Sequence, residues 1–167
     1  MPGIKQKTVI AGALGECVHV AGVMSFLRLA EAAGWRTTFL GPAVSVSATV
    51  QAARRGNADL MGVSYRLTPE TGERLLGEFA EEADELRAAG VRFVFGGTPP
   101  VAERAKAFGF FERIFDGSEP AEEVLAFLKG QPYAELTEAV VPQTAVERIV
   151  WKSPFPIIRH HFGLPTV

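Results

Sequence analysis

Two kinds of apolar segment alternate along the greater part of the chain. Short runs rich in branched and aromatic residues are typical of strands buried on both faces, and they cover residues 8–14, 35–40, 60–64, 91–95 and 112–115. Between them, segments with apolar residues at helical spacing predict helices over residues 20–33, 45–55, 69–89, 102–108 and 120–129. Gly96-Gly97-Thr98-Pro99-Pro100 separates the fourth strand from the next helix and is predicted to be a loop.

Five strand–helix units joined by short connections predict an α/β fold. We expect a flavodoxin-like (Rossmann-like), doubly wound, five-stranded parallel sheet of order 2-1-3-4-5 with helices on both faces. In that order the winding reverses between strands one and three, and ligands bind at the carboxyl edge of the sheet beside this point. The loops that follow strands one, three and four are therefore the expected binding region.

The pattern ends near residue 130. We expect residues 1–130 to form the α/β domain, and residues 131–167 to form an irregular tail, or a linker to a partner or to a further domain. The tail prediction depends on its prolines, which exclude a long helix: Pro132, Pro142, Pro154, Pro156 and Pro165.

Composition narrows the function. The 167 residues are 47% hydrophobic and 22% charged, which is typical of a globular domain. A formal net charge of -2 and the lack of a basic tract argue against nucleic acid as a partner. Cys17 is the only cysteine, and no signal sequence or long apolar run is present, so we expect a cytoplasmic protein without a membrane segment.

Three short motifs fall at the expected binding edge. His19 lies in the loop Gly15–Gly22 after strand one, Ser64 ends strand three, and Gly96-Gly97 follows strand four. A neutral imidazole is a good ligand for borderline transition metals, and glycines allow a ligand to approach the backbone. Isolated, each motif also fits a structural role, such as a hydrogen-bonded loop histidine or a plain turn.

Together the three motifs resemble the cobalamin (vitamin B12)-binding domain family, whose pattern is Asp-x-His-x-x-Gly, then Ser-x-Leu, then Gly-Gly. The chain has Cys17-Val18-His19-Val20-Ala21-Gly22, then Ser64-Tyr65-Arg66, then Gly96-Gly97, at closely matching distances. The resemblance covers residues 7–129. It implies that the cofactor is held with its dimethylbenzimidazole tail displaced from cobalt.

The resemblance also implies roles for individual residues. His19 would be the lower ligand of cobalt, and Gly22 would let the chain pass close to the corrin ring. Ser64 would hydrogen-bond the ring nitrogen of the displaced base, and Gly96-Gly97 would make room for that base. The other residues expected to contact the cofactor are Gly15, Glu16, Cys17, Val18 and Val20 in the first loop, Tyr65 and Arg66 after Ser64, and Thr98, Gly117 and Ser118 beside the nucleotide part of the tail.

Two positions depart from the family pattern. Cys17 stands where the family has the Asp that bonds the far nitrogen of the ligand histidine, and a thiol is a weaker partner. Either Glu16 replaces that Asp, or the bond between His19 and cobalt is weaker, or the site has lost its function. Arg66 replaces the family's Leu and could meet a propionamide, the tail phosphate or a partner protein.

The run Val9–Gly22 aligns without a gap with the small subunit of glutamate mutase-type, B12-dependent mutases. That likeness implies a subunit or domain of an adenosylcobalamin-dependent isomerase, with adenosylcobalamin favoured over methylcobalamin. Substrate would be bound by a TIM-barrel partner, so no catalytic residue is expected in this chain, and a homo-oligomer stays open. The alternatives are a corrinoid methyl-transfer carrier and a non-catalytic or degenerate cobalamin-binding sensor.

Other candidate sites are weaker. His160-His161 resembles part of a metal site, but neighbouring strand residues point in opposite directions, so a surface or interface role is favoured. A response regulator would need an Asp at the end of strand three, where this chain has Ser64.

Overall fold

The computed structural model describes residues 5–133 and contains one parallel sheet of five strands alternating with five helices. The elements are β1 (Thr8–Ala13), α1 (Ala21–Ala32), β2 (Arg36–Phe39), α2 (Val46–Arg55), β3 (Leu60–Tyr65), α3 (Pro69–Ala88), β4 (Arg92–Gly97), α4 (Pro99–Lys106), β5 (Arg113–Phe115) and α5 (Ala121–Lys129). The strand order is β2-β1-β3-β4-β5, and every neighbouring pair is parallel. The predicted fold class and strand order are confirmed.

The helices form one layer on each face of the sheet. Helices α2, α3 and α4 cover one face, and α1 and α5 pack together on the other. Alternate residues of each central strand therefore enter two separate cores, as expected for strands that are buried on both faces. The core under α2, α3 and α4 contains the large side chains Tyr65, Phe79, Phe93 and Phe95, whereas the core under α1 and α5 contains Val9, Leu60 and Val94.

Several helix ends follow from local chemistry. The Ser45 hydroxyl accepts a hydrogen bond of 3.2 Å from the backbone N–H of Ala48 and caps α2. Helix α5 ends at Gly130, whose φ of 66° is left-handed. Helix α4 begins at Pro99, earlier than predicted, because proline suits the first turn of a helix.

Strand β4 is longer than the sequence pattern predicts. The prediction that Gly96 and Gly97 lie in a loop is wrong, because both residues extend β4 and pair in parallel with Ser64 and Tyr65 of β3. Neither glycine has a positive φ. The glycine pair reads as a turn in the sequence, but pairing with the neighbouring strand keeps it extended.

Within residues 5–133, no helix is both long and apolar enough to cross a membrane. The predicted tail from residue 134 onward, together with His160 and His161, lies outside the residues that the structure describes.

Candidate functional site

The loop after β1 is fastened to its neighbours by backbone hydrogen bonds. Leu14 N–H donates to Ser64 C=O over 2.9 Å, which joins the start of the loop to the end of β3. Gly15 N–H donates to Val44 C=O over 2.9 Å, which joins it to the loop after β2. Because these bonds fix the backbone, the side chains that follow are presented at a defined place on the carboxyl edge.

Cys17 and His19 form the next part of this loop. Cys17 is completely buried, and its backbone is held at both ends, since its N–H donates to Leu14 C=O (3.1 Å) and its C=O accepts from Ala43 N–H (2.9 Å). The Cys17 Sγ atom lies 3.9 Å from Nδ1 of His19, whose ring is exposed. Among residues 5–133 no carboxylate hydrogen-bonds this ring, and Glu16 is exposed. The thiol therefore occupies the place beside the histidine.

Small residues line one face of the sheet below this loop. On that face the register places Ala11 opposite Gly62, Gly62 opposite Val94, and Ser64 opposite Gly96. Because Ala11, Gly62, Ser64 and Gly96 have short side chains or none, α1 and α5 do not close onto the sheet at this point. A cavity of about 250 Å³ remains between them.

The walls of the cavity are apolar. Helix α1, β5 and α5 contribute the larger lining side chains, which are Val23, Phe26, Leu29, Phe115 and Val124. Its exposed lining residues include His19, Arg66 and Gly117, and we call these three the mouth. The cavity therefore runs from the histidine loop to a narrow apolar space over the sheet.

Ser64 is the one buried polar side chain in the lining. The residue is 7% exposed, and its Oγ atom has no hydrogen-bond partner among the described residues. Buried hydroxyls in folded proteins are usually hydrogen-bonded, and an unpaired one costs stability. The Ser64 hydroxyl is therefore available to an atom that enters the cavity.

The two glycines of β4 serve different purposes. A Cβ atom at Gly96 would meet no atom within 4 Å, so the missing side chain enlarges the cavity. A Cβ atom at Gly97 would lie 2.8 Å from Cε1 of Phe95 and 3.0 Å from the backbone oxygen of Tyr65. Gly97 thus allows close packing of the strand, while Gly96 keeps space open.

Charged groups gather at and near the mouth. Arg66 is exposed and forms no ion pair within residues 5–133. Beside Gly117, the Glu119 carboxylate accepts hydrogen bonds of 3.1 Å from the N–H groups of Asp116 and Gly117. The Ser118 hydroxyl and N–H donate to Asp116 Oδ1 over 2.6 and 2.9 Å, and these bonds lower the pKa of Asp116. The turn after β5 therefore presents two carboxylates whose positions are fixed.

Seven of the residues expected at a cofactor line the cavity: His19, Gly22, Ser64, Arg66, Gly96, Gly97 and Gly117. Eight others are outside the lining: Gly15, Glu16, Cys17, Val18, Val20, Tyr65, Thr98 and Ser118. The side chain of Tyr65 packs in the core under α2, α3 and α4, because it alternates with Ser64 along β3. Val18 is 63% exposed at the tip of the loop, where it could contact only a ligand above the edge.

Some lining residues were not foreseen as site residues. Gly62 carries a signal of its own, since a glycine inside a buried strand often marks a close approach of another group. Phe26 belongs to the predicted helix over residues 20–33, and its ring faces Gly62 of the sheet across the cavity. Glu119 had no motif that distinguished it from other surface carboxylates.

Comparison with known proteins identifies the family. The sequence pattern of the B12 binding domain matches residues 7–126. The chain belongs to the B12-binding domain family. The match includes the histidine loop, β3, β4 and most of α5, so all parts of the cavity fall within it.

Solved structures share the fold of this B12-binding domain. It resembles a cobalamin-binding protein from Desulfitobacterium hafniense DCB-2 with a TM-score of 0.59 and 21% identity, covering 72% of this chain and 57% of that one. For the methanol:cobalamin methyltransferase complex of Methanosarcina barkeri the TM-score is 0.57 and the identity 20%, and the match covers 74% of this chain and 47% of that one. For a CheY-like receiver domain from Methanospirillum hungatei JF-1 the TM-score is 0.53 and the identity 13%, and the match covers 75% of this chain and 92% of that one.

The chain spans about half the length of the first two proteins, at 57% and 47%. The CheY-like match shows that this fold also serves proteins of another kind. The fold alone therefore does not assign a ligand, and the cavity has to be tested against the cofactor directly.

The residues present fit cobalamin. Its dimethylbenzimidazole is a flat, largely apolar ring system with a single nitrogen that becomes free when the base leaves cobalt. The cavity offers apolar walls, an open position at Gly96 and one buried hydroxyl without a partner. His19 lines the same cavity, at its mouth and on the carboxyl edge, so one cofactor could meet both residues.

Proposed function

We propose that this B12-binding domain holds cobalamin with its lower base displaced into the cavity and with His19 in its place on cobalt. The observation that carries the proposal is the buried Ser64 hydroxyl, which lacks a partner in a cavity that His19 also lines. A serine with a purely structural role in a strand is usually paired or exposed, and a ring nitrogen of the displaced base would complete the Ser64 hydroxyl.

Each part of the site has a role in this arrangement. His19 would supply the imidazole, Cys17 lies beside its Nδ1 atom, and backbone bonds hold the loop at Leu14, Gly15 and Cys17. Ser64 would donate to the free ring nitrogen of the displaced base. Arg66 and the turn at Gly117 lie at the mouth, where the nucleotide part of the tail would leave the cavity.

We further propose that the domain serves an adenosylcobalamin-dependent isomerase, and that it is cytoplasmic. The isomerase role is supported by the likeness of the run Val9–Gly22 to the small subunit of carbon-skeleton mutases. When bound, adenosylcobalamin supplies radical chemistry through its cobalt–carbon bond, and the protein contributes binding and orientation. A substrate-binding TIM-barrel subunit or domain is the partner that this role needs.

Cofactor binding is tested by titrating the full chain with hydroxocobalamin. The visible absorbance reports a change of the lower ligand, and dialysis gives the dissociation constant. We expect saturable binding by the unchanged chain, a changed absorbance spectrum for His19→Ala, and weaker binding by Ser64→Ala. Ser47→Ala, on the exposed side of α2, is the matched control and should bind as the unchanged chain does. Unaltered spectra and affinity in both site variants would contradict the proposal.

The isomerase role needs a separate experiment. The chain loaded with adenosylcobalamin is combined with candidate TIM-barrel partners, and substrate-dependent loss of the adenosylcobalamin spectrum is followed. Substrate-dependent turnover supports an isomerase. If the chain loaded with methylcobalamin passes its methyl group to an acceptor, and no substrate-dependent turnover is seen, the corrinoid carrier would instead be favoured. Binding without His19 on cobalt would favour the sensor.

A further inference from the structure

Among residues 5–133, the cavity is lined by a single buried hydrogen-bonding side chain. Of its five polar lining side chains, His19, Ser25 and Arg66 are exposed, and Glu119 already accepts two backbone hydrogen bonds. Only Ser64 is both buried and unpaired. Deep in the cavity, a ligand can therefore make one side-chain hydrogen bond.

The strand backbone beneath the cavity is already paired from Gly62 to Ser64 and from Val94 to Gly96. Strand β3 pairs with β1 on one side and β4 on the other, and β4 also pairs with β5 from Val94 to Gly96. The N–H and C=O groups of these central residues therefore bond neighbouring strands. The remaining deep lining is formed by Ala11, Gly62 and Val94 together with the aromatic rings of Phe26 and Phe115.

We propose that this cavity selects cobamides whose lower base is a benzimidazole over cobamides whose lower base is a purine. The inference rests on the proposed function, since it requires the displaced base to enter the cavity. A displaced benzimidazole has one free ring nitrogen, which matches the single hydroxyl of Ser64. A displaced adenine carries additional ring nitrogens and an amino group, and these would lose water without gaining partners.

The expected selectivity follows from the cost of an unpaired group. Leaving one buried polar group without a hydrogen bond weakens binding by roughly 5- to 150-fold. Apolar contact adds to the difference, because the methyl groups of dimethylbenzimidazole pack against the apolar walls. We expect the affinities for the benzimidazole and adenine cobamides to differ by a factor within or above this range. We expect this difference to come from the cavity and not from His19.

The test compares three cofactors on the full chain: cobalamin, the cobamide with adenine as lower base, and cobinamide, which lacks the nucleotide tail. Dissociation constants are measured by dialysis. Each is corrected for the fraction of free cofactor in which the base has already left cobalt, because adenine leaves more readily than benzimidazole. The three measurements are repeated with the variant Gly96→Val. A Cβ atom at this position meets nothing within 4 Å, so the valine side chain should fit the fold while it occupies the cavity.

We expect cobalamin to bind most tightly after this correction, with the adenine cobamide weaker by the factor given above. Gly96→Val should weaken cobalamin binding and leave cobinamide binding unchanged. Equal corrected affinities for the two bases would overturn the selectivity while leaving cobalamin binding intact. Cobinamide binding as tightly as cobalamin would show that the base does not use the cavity. Failure of all three cofactors to bind would instead overturn the proposed function itself.

Discussion

The Sγ atom of Cys17 lies 3.9 Å from Nδ1 of His19, and the thiol is buried while the imidazole is exposed. A partner of this kind fixes which ring nitrogen is free to bind a metal. The backbone bonds of Cys17 to Leu14 and Ala43 hold this part of the loop, and with it the thiol beside the ring. In the proposed function, the thiol therefore serves as a positioning group for His19.

We predict that Cys17→Ala weakens cobalamin binding by up to about 10-fold, the lower end of the range for groups that orient a metal ligand. Cys17→Ser, which keeps a hydrogen-bonding group, should recover part of the loss. The dissociation constant and the absorbance of the His19-ligated form are measured together. In a His19→Ala background the Cys17 substitution should have no further effect on affinity. An equal loss in both backgrounds would show that Cys17 acts only through packing.

Ser64→Ala should change stability and binding in opposite directions. Removing a buried hydroxyl without a partner is expected to stabilise the ligand-free protein by ~1 kcal/mol, because its desolvation cost disappears. The same variant should lose part of the stabilisation that cobalamin gives the unchanged chain. Urea unfolding with and without cobalamin measures both effects. A ligand-free protein that is clearly less stable would mean that the hydroxyl serves the fold.

Gly96 and Gly97 form a matched pair for separating fold from site. Gly97→Ala should destabilise the protein by about 1–3 kcal/mol, because its Cβ atom would lie 2.8 Å from the Phe95 ring. Gly96→Ala should leave stability nearly unchanged, since its Cβ atom enters open space, yet weaken cobalamin binding. Thermal unfolding and cofactor titration of both variants check this. The reverse assignment of the two effects would contradict the roles given to these glycines.

The adjacent residues Gly96 and Gly97 also show what the sequence could and could not predict. The alternation of strand and helix signals was enough for the sheet order, and the order of the motifs at His19, Ser64 and Gly96 was enough for the family. The motifs include Tyr65 and Gly97, but alternation along β3 and β4 turns the Tyr65 side chain and the Cβ position of Gly97 toward the core under α2, α3 and α4.

The walls of the cavity were harder to predict for a physical reason. Phe26, Phe115 and Val124 come from three elements that are far apart in the sequence, and apolar side chains at such positions have the same pattern over a core as over a cavity. Only the packing distance between sheet and helix distinguishes the two. Gly62 was the available signal, because a glycine in the middle of a buried strand leaves room above it.

The stability of the protein is predicted to depend on pH through an ion pair at Arg92, the first residue of β4. The carboxylate of Glu112 accepts two hydrogen bonds from Arg92, of 2.6 and 2.7 Å, and these lower its pKa against the opposing effect of desolvation. A carboxylate with a depressed pKa in the folded state stabilises the protein above its unfolded pKa, and this is lost as the pH falls through the folded value. Both side chains are partly exposed, so the contribution at neutral pH is ~0.5 kcal/mol.

We therefore expect Glu112→Gln to lower the free energy of unfolding slightly at pH 7, with the difference from the unchanged chain vanishing in acid. Urea unfolding at several pH values measures it. Glu82→Gln, which removes an exposed carboxylate of α3, is the control and should have a smaller effect. A difference that persists at low pH would show that the pair acts through packing instead of charge.

The central claim is that His19 replaces the cofactor's own base on cobalt. The most direct measurement is the electron paramagnetic resonance spectrum of the full chain, uniformly labelled with ¹⁵N, loaded with unlabelled cobalamin and reduced to Co(II). An axial ¹⁵N ligand from the protein splits each cobalt line into a doublet, whereas the ¹⁴N of the cofactor's base splits it into a triplet. We predict doublets that disappear in His19→Ala. Triplets in the labelled protein would show that the base stays on cobalt, and lines without either splitting would show that no nitrogen is bound there.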